Sequence, residues 1–302
     1  MTAVVAVGGN ALMRPGERGT AAEQRANLRA VCEALRPLLA EDALVITHGN
    51  GPQVGNELLR HERGAAEVPP LPLYLAVAQT QAEIGALIES ELEPVADGPV
   101  ACLLTHVVVD EADPAFEEPS KPVGPFYDEA RARELERDRG WKLVHDAGRG
   151  WRRVVPSPLP LEVVEIEAIR SLLRGGAIAV ACGGGGIPVT RRDGRLAGVD
   201  AVIDKDRASS LLARELGADR LVILTEVPAV YRGFGSDHQQ ELRELDTDGA
   251  EALLPELAAG SMRPKVEASL EFARATGHET LITSPDSLAA AMRGEAGTRI
   301  RT

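Results

Sequence analysis

Short apolar segments alternate with longer segments of helical periodicity along most of this chain. Ala3–Val7, Ala43–Thr47 and Arg220–Thr225 are rich in aliphatic residues, as buried strands are. Their apolar positions are continuous rather than alternating, which indicates a parallel sheet covered on both faces. The pattern predicts an α/β fold in which an open, mostly parallel sheet is sandwiched by helices.

The remaining predicted elements follow the same order of strand, turn and helix. Further strands are predicted at Val100–Val109, Ala177–Cys182 and Thr280–Thr283. Helices are predicted from Thr20 to about Ala40, after Pro52, over Leu73–Glu93 and Leu161–Arg174, from Asp204 to Gly217, from Pro264 to Gly277 and after Pro285.

Residues 111–156 interrupt this alternation. They are rich in proline and charge, and they contain both tryptophans of the chain. We therefore expect a small inserted subdomain within a single domain spanning residues 1–302. Its modest core is predicted to contain Trp141, Trp151, Phe126 and Tyr127.

The net charge and the cysteine content restrict the classes of ligand and the cellular compartment that we expect for this chain. A net charge of −13 and a pI near 5.0 argue against nucleic-acid binding, because that requires a basic face. Cys32, Cys102 and Cys182 form no CxxC pair, which is typical of a reducing compartment. No segment approaches the roughly 18 apolar residues of a membrane helix, and the N-terminal segment does not resemble a signal peptide. We expect a soluble, cytoplasmic protein.

Three glycine-rich turns follow predicted strands, at Gly8-Gly9-Asn10, Gly49-Asn50-Gly51 and Gly183–Gly186. Each turn alone is more often structural than ligand-binding. Three of them at the carboxyl ends of parallel strands indicate at least one anion site, because glycine lets backbone N–H groups approach a ligand. None is a Walker A loop or a dinucleotide fingerprint.

Lysine is scarce, since only four of the 33 basic residues are Lys. Lys205 lies between Asp204 and Asp206, where a surface ion pair and a phosphate-binding lysine are both consistent with the sequence. Lys265 follows Pro264 at a predicted helix start, where the helix dipole disfavours a cation and an anionic partner would explain it. His48 is expected to be a structural histidine rather than a general base.

Taken together, these motifs resemble the carbamate kinases, a branch of the amino acid kinase family, along nearly the whole chain. The matching segments are Val5–Leu12, Ile46–Gly55, Ser120–Tyr127, Asp146–Pro158, Cys182–Val189, Val199–Ala208 and Gly260–Ala268. The segments Ser120–Tyr127 and Asp146–Pro158 resemble the protruding subdomain of carbamate kinases, which other members of the family lack.

The resemblance implies a cytoplasmic homodimer that converts ATP and carbamate reversibly to ADP and carbamoyl phosphate, with Mg²⁺. It implies an acceptor lobe at residues 1–198, with the subdomain at about 111–156, and a nucleotide lobe at 199–302. The Mg²⁺ is expected to be held by nucleotide phosphates, with no direct protein ligand.

The resemblance also implies roles for particular residues. The expected catalytic residues are Lys121, Lys205, Asp206 and Lys265, with Asp206 orienting the lysines. Acceptor and phosphate binding is expected at Gly8, Gly9, Asn10, Gly49, Asn50, Gly51, Gly184 and Gly185. Nucleotide binding is expected at Thr225, Val227, Met262 and Arg263.

The chain departs from the family pattern at three places. Arg263 replaces a usual glycine, and the segments 78–82 and 225–228 differ near the expected acceptor and nucleotide sites. Two alternatives therefore stay open: a related kinase that phosphorylates another small carboxylate or phosphonate, and a nucleotide-binding regulator without catalysis.

Overall fold

The computed structural model describes residues 1–9, 12–14, 16–41, 43–146, 150–258 and 260–302, with the side chain of Asp146 left out. In chain order its helices are α1 (Ala21–Ala34), α2 (Arg36–Leu39), α3 (Gly51–Gly64), α4 (Leu73–Leu92), α5 (Glu129–Arg139), α6 (Ile166–Arg174), α7 (Lys205–Leu216), α8 (Thr247–Leu253), α9 (Met262–Thr276) and α10 (Leu288–Met292).

Within the residues that the structure describes, the strands lie in four sheets. They are β1 (Thr2–Val7), β2 (Ala43–His48), β3 (Val100–Cys102), β4 (His106–Val109), β5 (Lys121–Tyr127), β6 (Lys142–Asp146), β7 (Gly150–Val155), β8 (Pro160–Val163), β9 (Ile178–Val180), β10 (Ile187–Arg192), β11 (Arg195–Gly198), β12 (Arg220–Leu224), β13 (Val230–Arg232), β14 (Gln240–Leu242), β15 (Glu244–Asp246), β16 (Thr280–Thr283) and β17 (Thr298–Arg301).

In the described part of the chain, the main sheet has the order β15-β17-β16-β12-β1-β2-β9-β3. All its neighbouring strands are parallel except β16 and β17. A second sheet has the order β11-β10-β4-β8, and β13 pairs with β14. The predicted fold class, an open and mostly parallel sheet between helices, is confirmed.

The core lies on both faces of the main sheet. Val4 and Ala6 of β1 pack in one cluster with residues of α7 and α9, such as Leu212 and Phe272. The alternate residues of β1 pack in the other cluster, with residues of α1 and α4 such as Ile84. Because successive strand side chains point to opposite faces, a strand buried on both faces has a continuous apolar sequence.

Two predicted elements are wrong. Val100–Val109 is not one strand, because the chain leaves the main sheet after Cys102 and begins β4 of the second sheet at His106. The predicted helix Leu161–Arg174 begins only at Ile166, because the preceding residues pair with β4 as strand β8. Both errors arise at chain crossings between sheets, which local periodicity does not record.

Other boundaries agree closely with the prediction. Thr20 and Glu23 form the predicted capping box, and Gly217 ends α7 in a left-handed conformation. Asp193-Gly194 makes the tight turn of the β10–β11 hairpin. Helix α9 begins two residues before Pro264, which is tolerated because the first N–H groups of a helix have no intrahelical partner.

The inserted segment forms a three-stranded antiparallel sheet, β5-β7-β6, with α5 packed against it. Trp141, Trp151 and Tyr127 pack against the buried residues of this unit, as predicted. Phe126 does not belong to that core, because it is exposed and lies beside the Arg152 guanidinium. No helix within the described residues is long and apolar enough to cross a membrane.

Candidate functional site

The carboxyl ends of four neighbouring strands bring the predicted glycine turns to one edge of the main sheet. In the order β12, β1, β2 and β9, these strands are followed by Thr225, by Gly8-Gly9, by Gly49-Asn50 and by Gly183–Gly186. In a parallel sheet all carboxyl ends point the same way, so the turns converge where such folds bind ligands.

The first two turns are in contact with each other. A Cβ built on Gly49 would lie 3.0 Å from the Gly9 nitrogen and 3.5 Å from Cδ of Lys205. A Cβ on Gly8 would lie 3.2 Å from the Leu224 carbonyl oxygen. Glycine is therefore favoured here by close packing, and the stem of Lys205 lies against the turns. Asn10 lies outside the described residues.

The Gly183–Gly186 turn is buried and packs against the second turn and the segment before α7. A Cβ on Gly184 would lie 2.3 Å from the Asn50 amide nitrogen, and one on Gly185 would lie 2.2 Å from the Ile203 carbonyl oxygen. Gly184, Gly185 and Gly186 all have positive φ, which disfavours any other residue. Of the predicted phosphate-binding glycines, Gly184 therefore lies beside Asn50 and Gly185 beside Ile203.

Helices α7 and α9 start side by side and bring two predicted lysines to one carboxylate. Lys205 Nζ donates to Asp206 Oδ1 at 2.5 Å, and Lys265 Nζ donates to Asp206 Oδ2 at 2.9 Å. The three side chains are only 11%, 12% and 5% exposed for Lys205, Lys265 and Asp206 respectively. The surface ion pair considered for Lys205 is excluded, because the pair is buried.

Burial and charge act against each other in this cluster. Burial by itself would raise the pKa of Asp206, but Lys205 and Lys265 outweigh it and hold that pKa far below its ordinary value. Burial lowers the pKa of Lys205, and the charge of Asp206 opposes this effect. For Lys265, the attraction of Asp206 outweighs burial and raises the pKa. The single carboxylate of Asp206 does not neutralise both ammonium groups, so an anion bound beside them would be stabilised by the remaining positive charge.

Lys121 joins the same region from the subdomain. It is the first residue of β5, and its Nζ donates to Asp204 Oδ2 at 2.8 Å. Asp204 is the N-cap of α7 and immediately precedes Lys205. The structure therefore brings Lys121, Lys205 and Lys265 together with two aspartates, so three ammonium groups face two carboxylates and one positive charge remains.

The predicted nucleotide-binding residues lie at the starts of α9 and after β12. Thr225 follows β12, and its N–H donates to the Thr283 carbonyl at 2.8 Å. Val227, two residues later, is partly buried. The carboxylate of Glu226, between them, makes a small contribution to the raised pKa of Lys265. Met262 begins α9. Arg263 Nε lies 3.5 Å from Oε1 of Glu267 on the same helix.

His48 is fully buried, and burial lowers its pKa to about 4. Its Nδ1 lies 3.1 Å from the Gly49 carbonyl oxygen, which requires a proton on Nδ1. Its Nε2 is buried without a hydrogen-bond partner among the described residues. The histidine is neutral and packed beneath Gly183, as expected for a structural residue.

Three further residues support the site: Thr80 and Gln81, whose segment 78–82 was expected near the acceptor without individual roles, and Asp204, for which no role was predicted. Thr80 of α4 accepts a hydrogen bond from Asn50 Nδ2 at 2.9 Å, and Gln81 donates to the Gly183 carbonyl at 2.8 Å. Thr80 and Gln81 lie on the buried face of α4. In the sequence, such residues are recognisable as polar positions within an otherwise apolar helix face. Asp204 was recognisable as an N-cap, but its contact with Lys121 spans 83 positions.

Comparison with known proteins identifies the class. The model of the amino acid kinase family matches residues 1–284. A carbamate kinase of Trichomonas vaginalis is 43% identical over 311 residues, covering 99% of each chain. A carbamate kinase of Halobacterium salinarum is 44% identical over 300 residues, covering 98% of this chain and 97% of its own. The structure of carbamate kinase from Giardia lamblia bound to AMP-PNP matches with a TM-score of 0.92 and 40% identity, covering 99% and 98%.

The chain therefore belongs to the amino acid kinase family. Its similarity over nearly full length to the enzymes just named assigns it, within that family, to the carbamate kinases.

Proposed function

We propose that this chain transfers a phosphoryl group reversibly between carbamoyl phosphate and ADP, giving carbamate and ATP. The observation that carries the proposal is the cluster of Lys121 with the nearly buried Lys205 and Lys265 at the edge where the glycine turns converge. Phosphoryl transfer requires alignment and positive charge around the phosphoryl oxygens more than covalent assistance.

The bond changes need no general acid or base. In the direction of ATP formation, the bond between phosphorus and the carbamate oxygen breaks while a β-phosphate oxygen of ADP bonds to phosphorus. Carbamate leaves as an anion, so no proton has to move. This agrees with His48, the histidine beside the turns, being neutral because burial lowers its pKa to about 4.

We divide the proposed roles between an N-terminal acceptor lobe and a C-terminal nucleotide lobe. Residues 1–198 provide Gly8, Gly9, Gly49, Asn50 and Gly51 for the acceptor and the phosphoryl group, with Asn10, Gly184 and Gly185 in the same role. Residues 199–302 bind the nucleotide, through Thr225, Val227, Met262 and Arg263. Lys205 and Lys265 stabilise the charge on the phosphoryl group during transfer, and Asp206 fixes their positions.

Magnesium is proposed to enter with the nucleotide, as MgATP or MgADP. When bound, it neutralises charge on the phosphate oxygens. The two aspartates of the site are poor candidates for direct metal ligation, because both Asp206 oxygens and Asp204 Oδ2 accept hydrogen bonds from lysines. This donor set is consistent with a metal held by phosphates.

Membership of the carbamate kinases also supports a homodimer in the cytoplasm and ATP formation in a catabolic pathway such as arginine breakdown. The three lysines all come from one chain.

The test is a coupled assay that follows ATP formed from carbamoyl phosphate and MgADP. Replacing Lys205 or Lys265 with Ala should lower kcat by about 10²–10³-fold, because each ammonium meets charge that develops in the transition state. Lys142→Ala is the matched control, since this lysine of the subdomain donates to the Glu117 carbonyl and belongs to no cluster with the other three. It should retain the parent rate.

Assays of the unsubstituted protein distinguish carbamate kinase activity from the two alternatives, a related kinase and a non-catalytic regulator. A related kinase would phosphorylate other small carboxylates or phosphonates faster than carbamate in a panel with ATP. A non-catalytic regulator would bind MgADP and form no ATP. If Lys205→Ala or Lys265→Ala kept more than half of the activity, the proposed role of that lysine would be wrong.

A further inference from the structure

Lys121 and Asp204 are far apart in sequence and are brought together by packing on both sides. Val123 and Val155 of the subdomain pack in one buried cluster with Val202, which lies two residues before Asp204. The Val202 N–H also donates to the Pro156 carbonyl at 3.0 Å. The backbone on each side of the Lys121–Asp204 pair is therefore anchored, and the pair is not a chance contact of two mobile side chains.

Asp204 uses its two carboxylate oxygens for different purposes. Oδ1 accepts hydrogen bonds from the backbone N–H groups of Asp206 at 2.9 Å and Arg207 at 3.4 Å, which caps α7. Oδ2 accepts from Lys121 Nζ at 2.8 Å. Because the helix fixes Oδ1, the direction of Oδ2 is fixed as well, and it points toward the subdomain.

The charge of Asp204 is maintained by its partners. Burial and the charge of Asp206 would raise its pKa, but Lys121, with a smaller contribution from Lys205, outweighs them and holds the pKa below its ordinary value. The side chains of Lys121 and Asp204 are 35% and 15% exposed. Asp206, two residues later, holds the other two lysines in the same manner. Without these carboxylates, three neighbouring ammonium groups would repel one another.

We propose that Asp204 is a positioning residue that holds the Lys121 ammonium beside Lys205 and Lys265 for phosphoryl transfer. This inference rests on the proposed function and adds a residue to which that function assigns no role. A lysine has three N–H donors, so one hydrogen bond to Asp204 leaves two for phosphate oxygens. The subdomain lysine thus enters the site in an orientation that is set by the start of α7.

The competing explanation is that Asp204 serves only as a helix cap. Asparagine separates the two roles, because Asn and Asp are comparable N-caps while the amide nitrogen of Asn cannot accept from Lys121. Asp204→Asn therefore retains the cap and removes the positioning contact. Asp204→Ser is a second variant, for use if the amide disturbs folding, because serine also caps a helix and carries no carboxylate to pair with Lys121. Asp246→Asn is the matched control, since Asp246 caps α8 through the Gly249 N–H.

The experiment is a double-mutant cycle in the assay of ATP formation, with Asp204→Asn, Lys121→Met and the double variant. We expect Asp204→Asn to lower kcat about 10–100-fold, as misplacement of a transfer-site cation does. The KM for MgADP should change less than about threefold, and Asp246→Asn should match the parent. In the Lys121→Met background, adding Asp204→Asn should change kcat less than about twofold, because the group that Asp204 positions is already absent.

The proposal is overturned if the effects of the two substitutions multiply, or if Asp204→Asn and Asp204→Ser are as active as Asp246→Asn. A Lys121→Met enzyme with the parent rate would overturn it too, and would also remove Lys121 from the proposed function. Failure of the proposed function as a whole is distinct, since the unsubstituted enzyme would then form no ATP.

Discussion

At the scale of single residues, the site contains a buried aspartate that is paired with lysines and a buried histidine that is neutral. Asp206 remains ionised because two ammonium groups outweigh the cost of its burial. His48 has no such partner, and burial lowers its pKa from 6.5 to about 4. The same burial therefore has opposite consequences, because only the aspartate has counter-charges within hydrogen-bond distance.

The buried neutral His48 predicts a specific acid sensitivity of the folded state. Between pH 6.5 and about 4 this histidine binds a proton when unfolded but not when folded, so stability falls as the pH decreases through this range. From pH 7 to pH 5 its contribution to the free energy of unfolding should fall by about 2 kcal/mol. Urea unfolding of the parent and of His48→Asn at both pH values measures the difference.

His278→Asn is the control for that measurement, since His278 is exposed. It should show the same loss of stability on acidification as the parent, whereas His48→Asn should lose about 2 kcal/mol less. Equal losses in all three proteins would mean that His48 is protonated in the folded state.

At the scale of elements, α4 organises the glycine turns although none of its residues was predicted to touch a substrate. Thr80 accepts from Asn50 Nδ2 and donates to a backbone carbonyl of its own helix. Gln81 bonds the Thr105 N–H through Oε1 and the Gly183 carbonyl through Nε2. One buried helix face thereby links two turns that follow different strands.

This role of α4 predicts that Thr80→Val weakens binding of carbamoyl phosphate. Valine has nearly the same shape as threonine but leaves the Asn50 amide without its acceptor, so Asn50 is free to reorient. We expect the KM for carbamoyl phosphate to rise about 5–20-fold, roughly 1–2 kcal/mol, with little change in the KM for MgADP. Thr80→Ser retains the hydroxyl and should restore binding; a serine variant as impaired as the valine variant would contradict the explanation.

At the scale of the whole molecule, the subdomain is docked on the main body rather than held by its connections alone. Glu62 of α3 accepts hydrogen bonds from Tyr127 and Arg131 of the subdomain. Deeper in the contact, Gly55 of α3 faces Gly124 of β5, and a Cβ on Gly55 would lie 3.3 Å from the Gly124 Cα. The position of Lys121 over the site depends on this docking.

We therefore predict that Gly55→Val lowers kcat at least about 10-fold without altering any charged group of the site. The new side chain would separate α3 from β5 and move Lys121 with the strand. Gly64→Val is the matched control, because Gly64 ends the same helix and a Cβ there would have no atom within 4 Å. Equal rates for the two variants, measured as ATP formation, would show that docking at Gly55 does not position Lys121.

The amino-acid sequence is sufficient to predict the class of fold, most strands and helices, and the residues of the candidate site. Continuous apolar segments report burial on both faces, and Thr20 and Gly217 mark helix ends, because these signals depend on near neighbours in the chain. The glycine turns and the scarce lysines were likewise visible, and the family resemblance assigned their roles.

Which of these residues contact one another depends on the packing of elements that are distant in sequence. Val100–Val109 divides between two sheets because its second half pairs with β8 and β10, which come more than 50 residues later. The sharing of Asp206 by two lysines and the contact of Lys121 with Asp204 depend on how α7, α9 and β5 pack. Such contacts join residues distant in sequence, and local periodicity contains no information on which distant partner a side chain will reach.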